Sequence, residues 1–269
     1  MESQRWMRKV DEMMGQLNAD VTVPGLLWPL AIEGVKARRA AVADPLANFV
    51  GLAQFTEDTV DAGIERVLAA YAREGVPFSW VVGPTSRPAT LRAHLTAHGF
   101  QEAEALRHAG MVREPLDDIE DPLPEVTFTV MSPADSPALY AWAARAFGPP
   151  MTPDLASLGF RVMAAWAPHE TTVYLASLPE TPDPVGFGIA YFDPDGEAVW
   201  LGGAAVAPEY RGRGVYAALV ARRLRDARAR GYRAAMIHAM KATSAPLSAK
   251  RGFTTVCDID TYLAPPART

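Results

Sequence analysis

Apolar residues at Val60, Ile64, Val67, Leu68 and Tyr71 recur at helical spacing and stop at Gly75, which predicts a helix ending there. A short apolar run at 78–82 reads as a strand. It is followed by a second helix that ends in His98-Gly99-Phe100, then by a strand-like tail to Val112. The same succession returns later. Leu219, Val220, Leu224 and Ala227 lie on one helical face that stops at Gly231; a strand follows at 233–240, then a helix ending in Arg251-Gly252-Phe253 and a closing strand to Leu263. Gly75 and Gly231 are 156 residues apart, and Gly99 and Gly252 are 153 apart, so the pattern predicts an internal duplication. In the second copy a strand at 126–131 leads into Ser132-Pro133-Ala134-Asp135, which has the chemistry of a helix start. Helices are expected at 134–147 and 153–166, and strands at 171–178, 185–192 and 197–207. Asp193-Pro194-Asp195-Gly196 makes the last two strands an antiparallel hairpin. Gly202-Gly203 inside the third strand predicts a bulge, or a close approach by another backbone or a ligand. Near the N-terminus, Trp6, Val10, Met13, Met14 and Leu17 form a helical stripe expected to serve as core or domain contact.

Composition narrows the class. With 269 residues and 49% hydrophobic residues, the chain is too apolar for a disordered protein, and its length favours two domains. The stretch 114–125, EPLDDIEDPLPE, is expected to be extended and solvated. This places a first domain at 1–116, an acidic Pro-rich linker at 117–125 and a second domain at 126–269. A net charge of −5 argues against a general nucleic-acid binder. One cysteine excludes an internal disulfide framework and a cysteine-rich zinc site, and fits a reducing compartment; no metal is expected. A charged, interrupted N-terminus and the absence of a long apolar run make a cytoplasmic protein without a membrane span the expectation.

One segment carries chemistry. Val206-Ala207-Pro208-Glu209-Tyr210-Arg211-Gly212-Arg213-Gly214-Val215-Tyr216-Ala217 is strand, glycine-rich turn and helix start in succession. Such a turn aims successive backbone N–H groups at one point, the helix dipole adds partial positive charge there, and glycine leaves room for an anion. Arg211 and Arg213 add charge beside it, so the physics points to an anion of pyrophosphate size. The segment lacks the spacing of a P-loop or a dinucleotide fingerprint. It resembles instead the GNAT family of acyl-CoA-dependent N-acetyltransferases, whose [Q/R]-x-x-G-x-[G/A] signature opens a helix and whose later helix ends in Gly-Phe. Arg211 and Gly214 match; Tyr216 stands where the family has Gly or Ala. The resemblance covers residues 126 to about 264 and implies a mixed α+β fold, a mostly antiparallel sheet flanked by helices. With the duplication it implies two tandem GNAT-like domains. It further implies acetyl-CoA as co-substrate, with pyrophosphate on the backbone of Gly212, Arg213, Gly214, Val215, Tyr216 and Ala217, and pantetheine along Ala204, Ala205 and Val206. The first copy passes from strand 48–55 straight into Thr56-Glu57-Asp58-Thr59 without a glycine turn, and carboxylates there suit capping and repel an anion. It is read as a degenerate copy.

The catalytic residues are less marked. The family's tyrosine acid, four residues before the Gly of Gly-Phe, falls on Ser248, whose plainer reading is a helix-surface serine. No glutamate lies on the strand from Val199 to Ala207; the family's occasional acidic position falls on Met236, and His238 lies two residues on, on the same strand face. His238 is a base candidate or a histidine satisfied inside the fold. Glu209 reads as a solvated loop residue and Cys257 as a small buried hydrophobe. Eight arginines between 211 and 233 read as a solvated helix face, a basic rim for the adenosine phosphates, or a nucleic-acid patch, in that order. The expected activity is acetyl transfer from acetyl-CoA to a primary amine, on a small molecule or peptide, with no nucleic acid and as a monomer or homodimer. The alternative is a non-catalytic acyl-CoA-binding or sensing protein.

Overall fold

A computed structural model describes the chain except residues 1, 17–18, 121–122, 124, 133–136, 166–169, 182 and 267–269. Leu17 of the N-terminal stripe, the Pro133-Ala134-Asp135 helix start and part of the acidic linker therefore lie outside the described residues. The chain forms two compact units, one of 1–111, 238–246 and 255–269, the other of 112–237 and 247–254. Segments 238–246 and 255–269, which the linear cut at 117–125 places in the second domain, pack with the first.

The first unit contains α1 (Glu2–Gln16), β1 (Leu27–Pro29), β2 (Lys36–Ala40), β3 (Phe49–Gly51), α2 (Val60–Glu74), β4 (Ser79–Val82), α3 (Leu91–Ala97) and β5 (Gln101–Glu102). The strand β6 (His108–Arg113) leaves it. The second unit contains β7 (Thr127–Met131), α4 (Pro137–Phe147), α5 (Pro153–Ala165), β8 (Glu170–Ser177), β9 (Gly186–Phe192), β10 (Ala198–Val206) and α6 (Val215–Ala229). The chain then runs through β11 (Ala234–Met240), α7 (Ser244–Ala249) and β12 (Thr254–Leu263). These bounds follow the hydrophobic periodicity closely because each element buries the face that the pattern marks.

The two units repeat one design. In the first, β1, β2 and β3 are antiparallel neighbours, β3 pairs in parallel with β4 across the α2 crossover, and β12 adds antiparallel to β4. In the second, β7, β8, β9 and β10 are antiparallel neighbours, and β10 pairs in parallel with β11 across α6. The landmark glycines all have left-handed backbone: φ is 66° at Gly75, 85° at Gly99, 86° at Gly231 and 80° at Gly252. Each ends its helix in the conformation that glycine adopts without steric cost. The N–H of Phe100 reaches back to Leu95 O (3.0 Å), and that of Phe253 to Ser248 O (3.2 Å), so the two Gly-Phe helix ends have one hydrogen-bond pattern.

The first unit's core is aromatic. Tyr71 stacks on Phe78 with ring centroids 4.0 Å apart, and Phe78 and Trp80 meet Phe100 edge to face. The Tyr71 hydroxyl donates to the carbonyls of Arg38 and Phe49, 2.7 and 2.9 Å away. Trp6 and Val10 of α1 are buried in this unit, as the stripe predicts. Asp11 is buried too, and Oδ2 accepts the Thr85 N–H at 2.6 Å just beyond β4. In the second unit Phe187, Ile189 and Ala205 face α4 and α5, while Gly186 and Gly188 face α6.

Candidate functional site

The site is built on β10 and the turn after it. Pairing with β9 runs Leu201↔Ala190 and resumes at Ala204↔Gly188, so β10 holds one extra residue, the bulge that Gly202-Gly203 predicts. Pairing with β11 on the other side ends at Trp200↔Met236. Leu201 to Val206 therefore has β9 on one side and, in this register, no β11 partner on the other. The Ala207 N–H donates to Val185 O at 2.9 Å. Strand alternation then turns the Ala205 N–H towards β9, and the N–H groups of Ala204 and Val206 to the open edge. Of the three residues expected along pantetheine, two present backbone to that edge.

Beyond β10, Pro208–Tyr210 forms a 3-10 turn, and Gly212 (φ 77°) and Gly214 (φ 87°) are both left-handed. The first helical bond of α6 runs from Ala218 N–H to Gly214 O at 3.0 Å, and no side chain caps the helix. Among the described residues, no N–H from Gly212 to Ala217 has an acceptor. Six backbone donors thus follow one another at the positive end of a helix, with Gly212 and Gly214 exposed and nothing within 4 Å of where a Gly212 side chain would start. Leu123 lies beside Gly214.

The two arginines of the turn are already engaged. Arg211 donates from Nε to Val206 O (3.1 Å) and from a terminal nitrogen to Ala146 O (2.7 Å), which ties the turn to β10 and to the end of α4. Arg213 pairs with Glu180 and lies over the Tyr210 ring. The arginines further along are also partnered. Arg222 meets Asp226 at 2.9 Å, Arg230 meets Glu170 at 2.6 Å, and Arg233 meets Glu114 at 2.9 Å. Arg223 is wholly buried, bonded to the carbonyls of Leu219, Ile189 and Gly202, and burial lowers its pKa to about 10. Of the eight arginines read as a solvated helix face, Arg223 is the one that departs from that description by being fully buried. Arg223 instead holds the bulge from beneath, a role that the sequence reading missed; a guanidinium among Leu219, Val220 and Leu224 was its one signal.

Ser248 is 0% exposed, and its hydroxyl finds no hydrogen-bond partner among the described residues, so it is not a helix-surface serine. His238 belongs to the first unit, where Nε2 lies 2.8 Å from Val10 O and donates its proton to it. Burial, opposed by that carbonyl and reinforced by His108, lowers its pKa to about 4. Glu209 is exposed and 3.2 Å from Arg145; Cys257 is buried, with burial raising its thiol pKa to about 12. A cavity of about 290 Å3 runs along Val220, Ala221 and Leu224 of α6 to Lys250 and Arg251 at the end of α7.

The strand order, the bulged open-edged strand and the glycine turn before α6 define the GNAT fold. Residues 137–253 match the model of the acetyltransferase (GNAT) family. Among solved structures, a GCN5-related N-acetyltransferase from Kribbella flavida superposes with a TM-score of 0.69, covering 96% of this chain and 95% of its own, at 15% identity. A tandem GNAT protein from the clavulanic acid biosynthesis pathway, without AcCoA, gives 0.65 over 96% and 89%, at 15% identity. A GCN5-related N-acetyltransferase from Sphaerobacter thermophilus gives 0.59 over 84% and 76%, at 18% identity. No curated protein matches the chain. At these identities the likeness shows the fold, which is a tandem GNAT architecture. No helix among the described residues is long and apolar enough to cross a membrane.

Proposed function

We propose that the protein is an N-acetyltransferase that uses acetyl-CoA and a primary amine, with its CoA site in the second unit alone. The six unused N–H groups from Gly212 to Ala217 carry this reading, because unsatisfied donors at the positive end of a helix suit an anion such as pyrophosphate. Acetyl-CoA bound there would lay its pantetheine along the open edge of β10, where the N–H groups of Ala204 and Val206 would polarise the thioester carbonyl. The amine nitrogen attacks the carbonyl carbon, the C–S bond breaks, and the CoA thiolate takes a proton while nitrogen loses one. Ser248, at the acid position, would pass that proton. Its burial without a partner also favours a second reading, acyl-CoA binding without transfer. For His238, a bonded Nε2 and lowered basicity support packing over base work, which leaves water to accept the ammonium proton. Replacing His238 by alanine should then leave the pH–rate profile in place.

Thermal unfolding with and without acetyl-CoA tests the binding claim. At 100 times the dissociation constant, stabilisation of about 2.7 kcal/mol is expected. Gly214→Asp, which puts a carboxylate among the donors, should abolish it, while Gly214→Asn should keep most of it because Asn tolerates left-handed backbone. Absence of any shift in the unmodified protein at millimolar acetyl-CoA would overturn the proposal. Release of free thiol with an amine separates transfer from mere binding.

A further inference from the structure

We infer that Arg223 is a positioning residue for acetyl transfer: it holds the strand edge where the thioester would lie against the helix whose start would hold the pyrophosphate. The inference rests on the acetyl-CoA site proposed above. Its ground is how a wholly buried cation spends its donors. Nε of Arg223 donates to Leu219 O within α6 at 3.1 Å, and one terminal nitrogen donates to Ile189 O of β9 at 3.0 Å and to Gly202 O of β10 at 3.4 Å. One side chain thus ties the helix to both strands at the bulge. Gly188 makes the room, since a side chain there would start 2.9 Å from the guanidinium carbon. The register sets Gly188 opposite Ala204, the first residue to turn its N–H to the open edge.

Folding alone does not call for this residue. The other terminal nitrogen of Arg223 has no hydrogen-bond partner among the described residues, and a guanidinium buried in that way is costly. The first unit takes the cheaper choice: its equivalent position holds Val67, equally buried, on a helix whose start has no open donors. The arginine and the open turn therefore occur together in one copy and are missing together from the other. What the arginine adds is a fixed place for β10. Past Trp200 that strand has left β11, and its pairing with β9 is interrupted between Leu201 and Ala204 by two glycines with wide backbone freedom. Donors polarise a carbonyl only when they are held in place beforehand, to within about 0.5 Å. Arg223 supplies that hold for the N–H groups of Ala204 and Val206.

The test titrates the full chain with two ligands and needs no acceptor. ADP carries the pyrophosphate without pantetheine. Acetyl-CoA labelled with 13C at the thioester carbonyl reports polarisation through its stretching band in difference infrared spectra. In the unmodified protein the bound band moves to lower frequency, and acetyl-CoA binds more tightly than ADP. Arg223→Met fills similar space without donors; it should keep ADP affinity within about twofold, weaken acetyl-CoA about tenfold and return the band most of the way to its solution position. Arg223→Lys, which keeps the charge but not the planar fork, should fall between the two. Gly188→Ala pushes the guanidinium off the bulge and should give the same pattern, which keeps the test open if the Met variant fails to fold. Equal weakening of ADP and acetyl-CoA, or an unmoved band in both variants, makes Arg223 a brace for the fold alone and overturns the inference. A band that stays in place when acetyl-CoA binds the unmodified protein removes the thioester from β10, and the inference with it, while ADP binding leaves the anion site standing. Binding of neither ligand overturns the CoA reading itself.

Discussion

The two crossover helices α2 and α6 occupy equivalent places in the two units, yet their N-termini are opposite in chemistry. Before α6 the donors of the turn are unused and the approach is open. Before α2 they are closed on the chain itself: the N–H groups of Thr59 and Val60 both reach Thr56 O (3.1 and 3.0 Å), and the Thr56 N–H reaches Thr59 Oγ1 at 3.0 Å. Acidic side chains crowd this start, but they do not cap it. Asp61 Oδ1 receives His94 Nδ1 (2.8 Å) and His98 Nε2 (3.0 Å) from α3, which hold its carboxyl below its usual pKa, and Glu57 accepts the Thr90 hydroxyl at 2.7 Å. Just past β4, Asp11 of α1 presses on Gly83 and takes the Thr85 N–H, so the end of this strand is filled by the unit's own helix. On the proposed reading, one fold keeps or loses an anion site by how its helix start spends a few N–H groups. The sheet need not change.

The same positions, counted from the landmark glycines, also differ inside the units. Four residues before the Gly of Gly-Phe, the first unit has Leu95 and the second Ser248, both 0% exposed. Exchanging them breaks the comparison most sharply. Leu95→Ser removes apolar volume and buries a hydroxyl, and should destabilise by about 3–5 kcal/mol in chemical unfolding. Ser248→Ala removes a hydroxyl that has no partner and should cost less than about 1 kcal/mol. If Ser248 passes the proton, that variant loses kcat at unchanged acetyl-CoA shift; unaltered kcat removes it from the mechanism. Eight residues before the helix-ending Gly stand Val67 and Arg223, again both wholly buried. Arg223→Val frees the carbonyls of Ile189 and Gly202 and leaves a void, for an expected loss of about 3 kcal/mol. Val67→Ala in the aromatic core should cost about 2 kcal/mol.

Seven residues after the same Gly, the first unit has Val82 and the second copy's sequence has His238. A histidine with its folded pKa lowered to about 4 is taken up neutral, whereas the unfolded chain protonates it near pH 6.5. Its stability contribution is therefore fully present above pH 6.5 and lost as pH falls from there towards 4. Replacing it with valine, the residue of the other copy, should remove about 3 kcal/mol of the stability difference between pH 7 and pH 4. His108, also lowered by burial, stays in both proteins and leaves a residual slope. A His238→Val variant with the original slope would show that folding does not shift the His238 pKa.

Periodicity made the repeat legible, because helices α2, α3, α6 and α7 each end at a glycine that needs left-handed backbone. The bulge was legible because two glycines inside a strand have few other uses. What the sequence hid was the occupancy of polar groups. Arg211 and Arg213 read as free charge beside an anion site, but one braces two carbonyls and the other faces a carboxylate thirty-three residues away in sequence. Ser248 read as a surface residue, but the packing of α7 turns it inward while Leu247, Ala249 and Lys250 stay exposed. The linear domain cut likewise could not show that β12, last in sequence, pairs with β4 in the first unit.

The pairing of Arg213 with Glu180 sets the smallest of these tests. Both side chains are exposed, so the pair has little bearing on folding, and Glu180→Gln should leave the unfolding midpoint in place. Its consequence falls on the ligand. A pyrophosphate arriving at Gly212–Ala217 competes with Glu180 for the same guanidinium, and removing the carboxylate's charge ends that competition. Acetyl-CoA should then bind about threefold tighter at low salt, with the gain fading near 1 M salt, where screening acts within roughly 3 Å. Calorimetric titration of the two proteins at both salt concentrations measures it. Equal affinities at low salt would mean that Arg213 takes no part in holding the anion, and that the backbone donors separating α6 from α2 do so without it.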